Sequence, residues 1–311
     1  MKCLSIHLTD LCNSECTFCV VGSPLYTKDS VAYENVIAFL DENRDGGFGA
    51  VNLHGGEPTI HPQFIETLEY IGKLGYPEIH LQTNGIKLEN EAFVRQLVDR
   101  HVTKFIISLH GDLAEIQESQ TFTKGGFAKT LQGIRNAKAL GAHVRTNTVI
   151  TTQNLKRLLN IAQLADSLGV DHINFSNLHP VGSARFSRST IMPRFEDMRP
   201  HLYPAIDFLL QRNRRVTLEG FPYCTIDNGR EGLHLNNEYR EIKLLIRGRI
   251  LQDYDIFMMD QMRVFGAPCE GCRVRDLCGG VYPEYIDYNG WAEFDSALVP
   301  LTLSAQAARA S

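Results

Sequence analysis

The stretch DLCNSECTFC places Cys12, Cys16 and Cys19 in a C-x3-C-x2-C pattern close to the N-terminus. A disulfide would use two of these thiols and leave the third over. A tetrahedral zinc site needs a fourth ligand, and no nearby residue supplies one. A cube of iron and sulfide held by three thiolates, with one iron left open, fits the count. An open iron can take a small molecule through an amine and a carboxylate. A second group, Cys269, Cys272 and Cys278, follows a C-x2-C-x5-C pattern, and Cys224 raises it to four thiols. Four thiolates complete a closed site, either tetrahedral zinc or a fully ligated iron–sulfur cluster, and the spacing serves both. No cysteine lies between Cys19 and Cys224, which implies two separate sites. Cytosolic thiols stay reduced, so such groups point to metal rather than to disulfides. Cys3 lies well before Cys12 on a predicted strand and reads as a core thiol.

These thiols need a scaffold, and the first two-thirds of the chain supplies a regular one. KCLSIHLT, GAVNLHGG, EIHLQTNG, TKFIISLHG, HVRTNTVIT and DHINFSNLHP read as strands. Segments of helical periodicity lie between and after them, and Gly46, Gly75 and Gly141 mark three of their ends. Six strand–helix units in series imply a parallel sheet with right-handed crossovers. The expected fold is α/β: a partial (β/α)6 TIM-like barrel over residues 1–214, then a small cysteine-rich domain over 215–299 and a disordered tail over 300–311. Ligands of such folds bind at the C-terminal ends of the strands. The polar, glycine-rich sequences DLCNSEC, HGGEP, QTNG, SLHG, TVIT and NLHPVG lie there.

The cysteine loop, with Phe18 just before its third cysteine, resembles the signature of the radical S-adenosylmethionine (radical SAM) enzymes. The six-unit pattern is similar to that family's partial barrel, and the likeness covers about residues 1–215. GGEP, formed by Gly55, Gly56, Glu57 and Pro58, resembles the family's second-strand motif. The resemblance implies that its backbone and Glu57 receive the methionine amino group, glycine allowing the close approach. SLHG resembles the fourth-strand segment, with Ser108 as a ribose contact. RTNTVIT resembles the fifth, where the planar fork of Arg145 suits the methionine carboxylate and Asn147 suits ribose or substrate. HPVG at 179–182 resembles the sixth-strand loop near the adenine. The implied cofactors are a 4Fe–4S cluster on Cys12, Cys16 and Cys19 together with S-adenosylmethionine, and the implied partner is a flavodoxin- or ferredoxin-type reductant. The C-terminal cysteines resemble the shortened auxiliary-cluster domain called twitch. That implies a second, auxiliary 4Fe–4S cluster on Cys224, Cys269, Cys272 and Cys278, with zinc as the alternative. His54, His110 and His179 lie near the predicted mouth and read as structural, and Tyr282, Tyr285 and Tyr288 read as packing.

The chain has 311 residues, 43% of them hydrophobic, a net charge of -5 and a pI near 6.1. That supports a sizeable core and argues against a nucleic-acid groove. No signal peptide or apolar span is evident, so a cytoplasmic location and no membrane are expected. The barrel starts at once, leaving no room for an N-terminal peptide-recognition domain. The expected function is therefore hydrogen abstraction from a small-molecule intermediate, derived from a sugar, nucleoside or amino acid, in specialised metabolism. The outcome would be dehydrogenation, bond formation or epimerisation. The alternatives are a peptide-modifying radical SAM enzyme and a non-catalytic iron–sulfur or zinc protein.

Overall fold

Apolar strands and glycine stops build the first six units where the sequence places them. The computed structural model describes residues 1–22, 29–227, 230, 233, 239 and 241–299. Strands β1 (Lys2–Thr9), β2 (Phe48–Gly55), β3 (Glu78–Thr83), β4 (Val102–Ser108), β5 (His143–Val149) and β6 (His172–Ser176) pair in sequence order, all parallel. Their connections carry α1 (Tyr33–Glu42), α2 (Phe64–Leu74), α3 (Glu91–Val98), α4 (Ala114–Thr121), α5 (Gly126–Ala139) and α6 (Leu158–Ser167). After β6 come α7 (Ala184–Ile191) and α8 (Phe195–Gln211). Gly75 ends α2 with φ of 76°, a left-handed stop that costs glycine little.

The sheet is longer than the six strands expected. β7 (Arg215–Glu219) extends it in parallel beyond β6, and β8 (Glu241–Ile246) returns to lie parallel beside β1. β9 (Arg249–Leu251) folds back antiparallel on β8. Among the described residues the order is β7-β6-β5-β4-β3-β2-β1-β8-β9, and the sheet stays open. The α/β partial-barrel class holds, but two parallel strands come from beyond residue 214. Helices α9 (Tyr254–Gln261) and α10 (Pro283–Asn289) follow. The tail expected over 300–311 lies outside the described residues. Among the described residues no helix is long and apolar enough to cross a membrane.

Strand alternation sorts the two faces of the sheet. Leu4, Ile6 and Leu8, Val51 and Leu53, Phe105 and Ile107, and Ile173 and Phe175 are buried in the main apolar core. The opposite face is mostly polar, and several of its groups pair with each other. Asn52 donates to Ser5 Oγ at 3.3 Å, His172 Nε2 lies 2.7 Å from Thr217 Oγ1, and Thr217 donates to Asn174 Oδ1 at 2.7 Å. Cys3 is buried, in keeping with a core thiol.

A buried polar knot helps tie the C-terminal segment to the barrel. The Tyr285 hydroxyl donates to the Glu293 carboxylate and accepts from the Phe195 amide at 3.2 Å, at the start of α8. Glu293 also accepts from the Glu196 amide at 2.9 Å. Tyr282 and Tyr285 are buried and Tyr288 is half-exposed, so the first two pack as expected. Replacing Tyr285 by Phe removes one donor from a buried carboxylate. A loss of about 1–3 kcal/mol in urea unfolding is expected; unchanged stability would contradict the knot.

Candidate functional site

The cysteine loop and the residues that lead into it from Thr9 have little regular structure, so their backbone groups need partners elsewhere. They find them on three elements around the barrel mouth. Beside β2, the Gly56 amide donates to Thr9 O at 2.6 Å and the Glu57 amide to Leu11 O at 2.7 Å. At the end of α4, Thr121 O accepts from Glu15 at 3.0 Å and Gln120 O from Thr17 at 2.9 Å. Just before α7, the Ser183 amide donates to Cys19 O at 2.9 Å. The approach is close enough to exclude a side chain. A Cβ on Gly55 or Gly56 would run into the Thr9 or Leu11 carbonyl, and one on Gly182 would run into the Cys19 carbonyl. The glycines of GGEP thus seat the backbone that leads into the cysteine loop.

The three thiols lie near one another, and Cys12 and Cys16 are held in their neutral form. Burial pushes the Cys12 thiol up to about 12, with a smaller push from Cys19. Burial also raises Cys16, and both Cys12 and Cys19 add to the rise. The Ser14 and Asn13 amides offer hydrogen bonds to the Cys12 sulfur. A guest of positive charge would reverse this repulsion, and three half-buried thiols of this spacing fit one corner of an iron–sulfur cube.

Glu57 is fully buried, and its carboxylate accepts hydrogen bonds from the protein. Oε1 accepts from the Thr59 amide and hydroxyl at 3.2 and 2.6 Å and from Thr83 Oγ1 at 2.8 Å, and Oε2 accepts from the Asn84 amide at 2.8 Å. Its side chain therefore holds the β2 loop to the β3 loop, and Pro58 opens the short turn that follows. Phe18 is buried against His110, with ring centroids 4.4 Å apart. Ser108 ends β4 beside Asn147, and Arg145 is buried one layer below Asn147 on β5. Arg145 lies 3.8 Å from the carboxylate of Glu219. Asn147 Oδ1 accepts from Asn174 Nδ2 and Ser176 Oγ, each at 2.7 Å. Both donors also reach Glu219 Oε2, at 3.1 and 3.0 Å. Asn147, Asn174, Ser176, Glu219 and Arg145 thus form one polar cluster at the ends of β5, β6 and β7. Glu219 was not singled out from the sequence, because the strand it ends was not counted in the sheet. The strand-end rule that selects the other mouth residues applies to it equally.

The histidines divide. His110 is buried and accepts from the Val149 amide at 3.1 Å, a structural role. His179 stacks on Tyr282 at 3.9 Å, and burial lowers its pKa to about 4. His54 stands edge-on to His7, and its Nε2 has no hydrogen-bond partner among the described residues. Burial lowers its pKa to about 3.

The four C-terminal thiols meet as well. Cys224, Cys269, Cys272 and Cys278 line one cavity, walled by Tyr223, Val274 and Val299. Burial pushes Cys224 up to about 12, and Cys278 and Cys269 add to it. The Asp295 amide offers a hydrogen bond to Cys224, and the Tyr223 and Gly280 amides to Cys278. Four thiols around an apolar cavity, with amides aimed at the sulfurs, fit a fully ligated iron–sulfur cluster. Among the described residues no three His, Cys, Asp or Glu side chains close on a single-ion position.

The Radical SAM superfamily profile matches residues 6–165, just over half of the chain. The chain is 29% identical over 185 residues to a probable GTP 3',8-cyclase of Saccharolobus islandicus, the match covering 59% of each protein. The corresponding protein of Saccharolobus solfataricus is 30% identical over 189 residues, again covering 59% of each. The chain therefore spans about three-fifths of the length of these curated relatives. In fold it is similar to Streptococcus suis SuiB bound to S-adenosylmethionine, with TM-score 0.70 and 16% identity, covering 94% of this chain and 75% of that one. It is also similar to anSMEcpe with bound AdoMet, with TM-score 0.63 and 15% identity, covering 99% and 95%. The chain belongs to the radical SAM superfamily. Membership implies a 4Fe–4S cluster and S-adenosylmethionine as cofactors.

The buried histidines make stability depend on pH. Burial lowers the His110 pKa from 6.5 to about 3. The unfolded chain therefore takes up a proton that the folded chain rejects, and stability falls as pH drops through that window. His110→Gln is expected to flatten the fall by up to about 1.4 kcal/mol per pH unit, read by urea unfolding at several pH values. An identical slope in the variant would contradict the assignment.

Proposed function

We propose that this protein is a radical SAM enzyme acting on a small molecule, with an auxiliary 4Fe–4S cluster beside the barrel. The observation that carries the reading is the seating of the backbone leading into the three-cysteine loop, Thr9 to Leu11, on Gly55 and Gly56 at the C-terminal end of the sheet. Cys12, Cys16 and Cys19 would hold the cluster, and Phe18 backs the loop. The segment from Gly55 to Pro58, with Ser108, Arg145 and Asn147, would line the S-adenosylmethionine. When bound, cluster and S-adenosylmethionine together supply a 5′-deoxyadenosyl radical that takes a hydrogen atom from the substrate. Glu57 does its part indirectly, by fixing the loop that frames the cofactor. Cys224, Cys269, Cys272 and Cys278 would hold the auxiliary cluster, and a flavodoxin- or ferredoxin-type protein would supply electrons.

The polar cluster of Asn147, Asn174, Ser176 and Glu219 supports a hydroxylated or amine-bearing substrate. Glu219 is half-exposed, and Asp255 lies near enough to feel its charge. Two carboxylates at the mouth oppose a triphosphate, although the curated relatives are named for GTP. A nucleoside, sugar or amino-acid derivative fits better. The peptide-modifying reading draws on the fold likeness to SuiB, one structure of which is bound to its precursor peptide SuiA. That likeness is one of fold, and the sequence relatives favour the small molecule.

The test is iron and acid-labile sulfide per chain after anaerobic reconstitution, with 5′-deoxyadenosine release under a strong reductant. About eight irons are expected, falling to about four in the Cys12/Cys16/Cys19→Ala variant, with loss of 5′-deoxyadenosine. Iron unchanged by the triple substitution would remove the loop from cluster binding.

A further inference from the structure

The turn between β8 and β9 reaches back to the cysteine loop from the far side of the sequence. Its two central residues, Arg247 and Gly248, have φ of 48° and 72°. Positive φ at both positions suits a hairpin between right-twisted strands, and asparagine or glycine is the usual first residue. An arginine there holds a backbone conformation its side chain disfavours, so its side chain merits a reason.

The contacts give one. Arg247 Nε donates to both oxygens of Asp10, at 3.2 and 3.0 Å, and an Nη reaches Val21 O at 3.3 Å. Asp10 is fully buried, and its Oδ1 also lies 2.7 Å from His7 Nε2 on β1. Asp10 precedes Cys12 by two residues, and Val21 follows Cys19 by two. A single guanidinium therefore bridges the two feet of the loop. It also sets a cation against a buried carboxylate beside that loop, an arrangement costly to leave unpaired. β8 is placed for this by its register with β1, where Ile246 faces His7.

We propose that Arg247 is a positioning residue for the barrel cluster: it staples both ends of the cysteine loop and neutralises Asp10 at the loop's foot. This rests on the reading of Cys12, Cys16 and Cys19 as cluster ligands. It gives the segment beyond the superfamily match a part in shaping the radical SAM centre. The planar fork makes the bridge. A lysine keeps the charge without holding both feet.

Two variants test it, and Arg247→Asn suits the turn's positive φ, so the hairpin keeps its shape. In the iron-free chain, amide hydrogen exchange at residues 10–21 is expected to quicken about tenfold or more in both Arg247→Asn and Arg247→Lys, while β3 and β4 keep wild-type protection. In the reconstituted chain, the midpoint potential of the S-adenosylmethionine-responsive cluster is read by EPR titration. It is expected to fall by about 59 mV in Arg247→Asn, tenfold in the one-electron equilibrium. Arg247→Lys is expected to restore the wild-type potential. Wild-type exchange at residues 10–21 in Arg247→Asn, or an unmoved potential there, would overturn the proposal. If the wild-type chain takes up no cluster, the failure belongs to the proposed function, and the exchange measurement alone decides the staple.

Discussion

An irregular loop carrying three thiols can pair few of its backbone groups within itself, and the need for outside partners organises the barrel mouth. The loop's partners are carbonyls and amides of β2, α4 and the start of α7, drawn from three stretches far apart in sequence. Glycine is required where two backbones touch, at Gly55, Gly56 and Gly182. Glu57 is required because the β2 loop must itself be held, and its buried carboxylate gathers four donors to do so. The motif is thus a packing solution as much as a chemical one. Loss of any of these contacts would loosen the thiols before it touched their chemistry.

The interior follows from the same logic. A barrel whose lumen is to receive a polar ligand cannot fill it with leucine. Many of its inward side chains are polar and pair in chains such as His172–Thr217–Asn174. Those chains end at Glu219 and Asn147, where the open end of the sheet begins. The helices keep the apolar face on the outside, so stability and site chemistry are carried by opposite faces of the same strands.

Much of this was legible in the sequence. The strand–helix pattern shows through glycine stops and short apolar runs, and the two cysteine groups show through spacing alone. β8 was missed because EIKLLI pairs with β1 across more than two hundred residues, and no local signal announces a partner so distant. α4 was missed because AEIQESQT has little apolar periodicity and is fixed by contacts with the cysteine loop. Glu219 was missed because its strand was not counted in the sheet, and Arg247 gains its meaning only from tertiary placement. The bonds Glu57 makes within the protein were not legible either, because Thr83 and Asn84 reach it only through the fold.

The central claim is that the Cys12–Cys19 loop holds a cluster with a position open to S-adenosylmethionine. The most direct test is the EPR spectrum of the reduced, reconstituted chain before and after S-adenosylmethionine is added. The account predicts that the ligand shifts one cluster signal and that this signal is absent from the Cys12/Cys16/Cys19→Ala variant. A spectrum unmoved by S-adenosylmethionine, or a shift confined to the signal that survives in the variant, would contradict it.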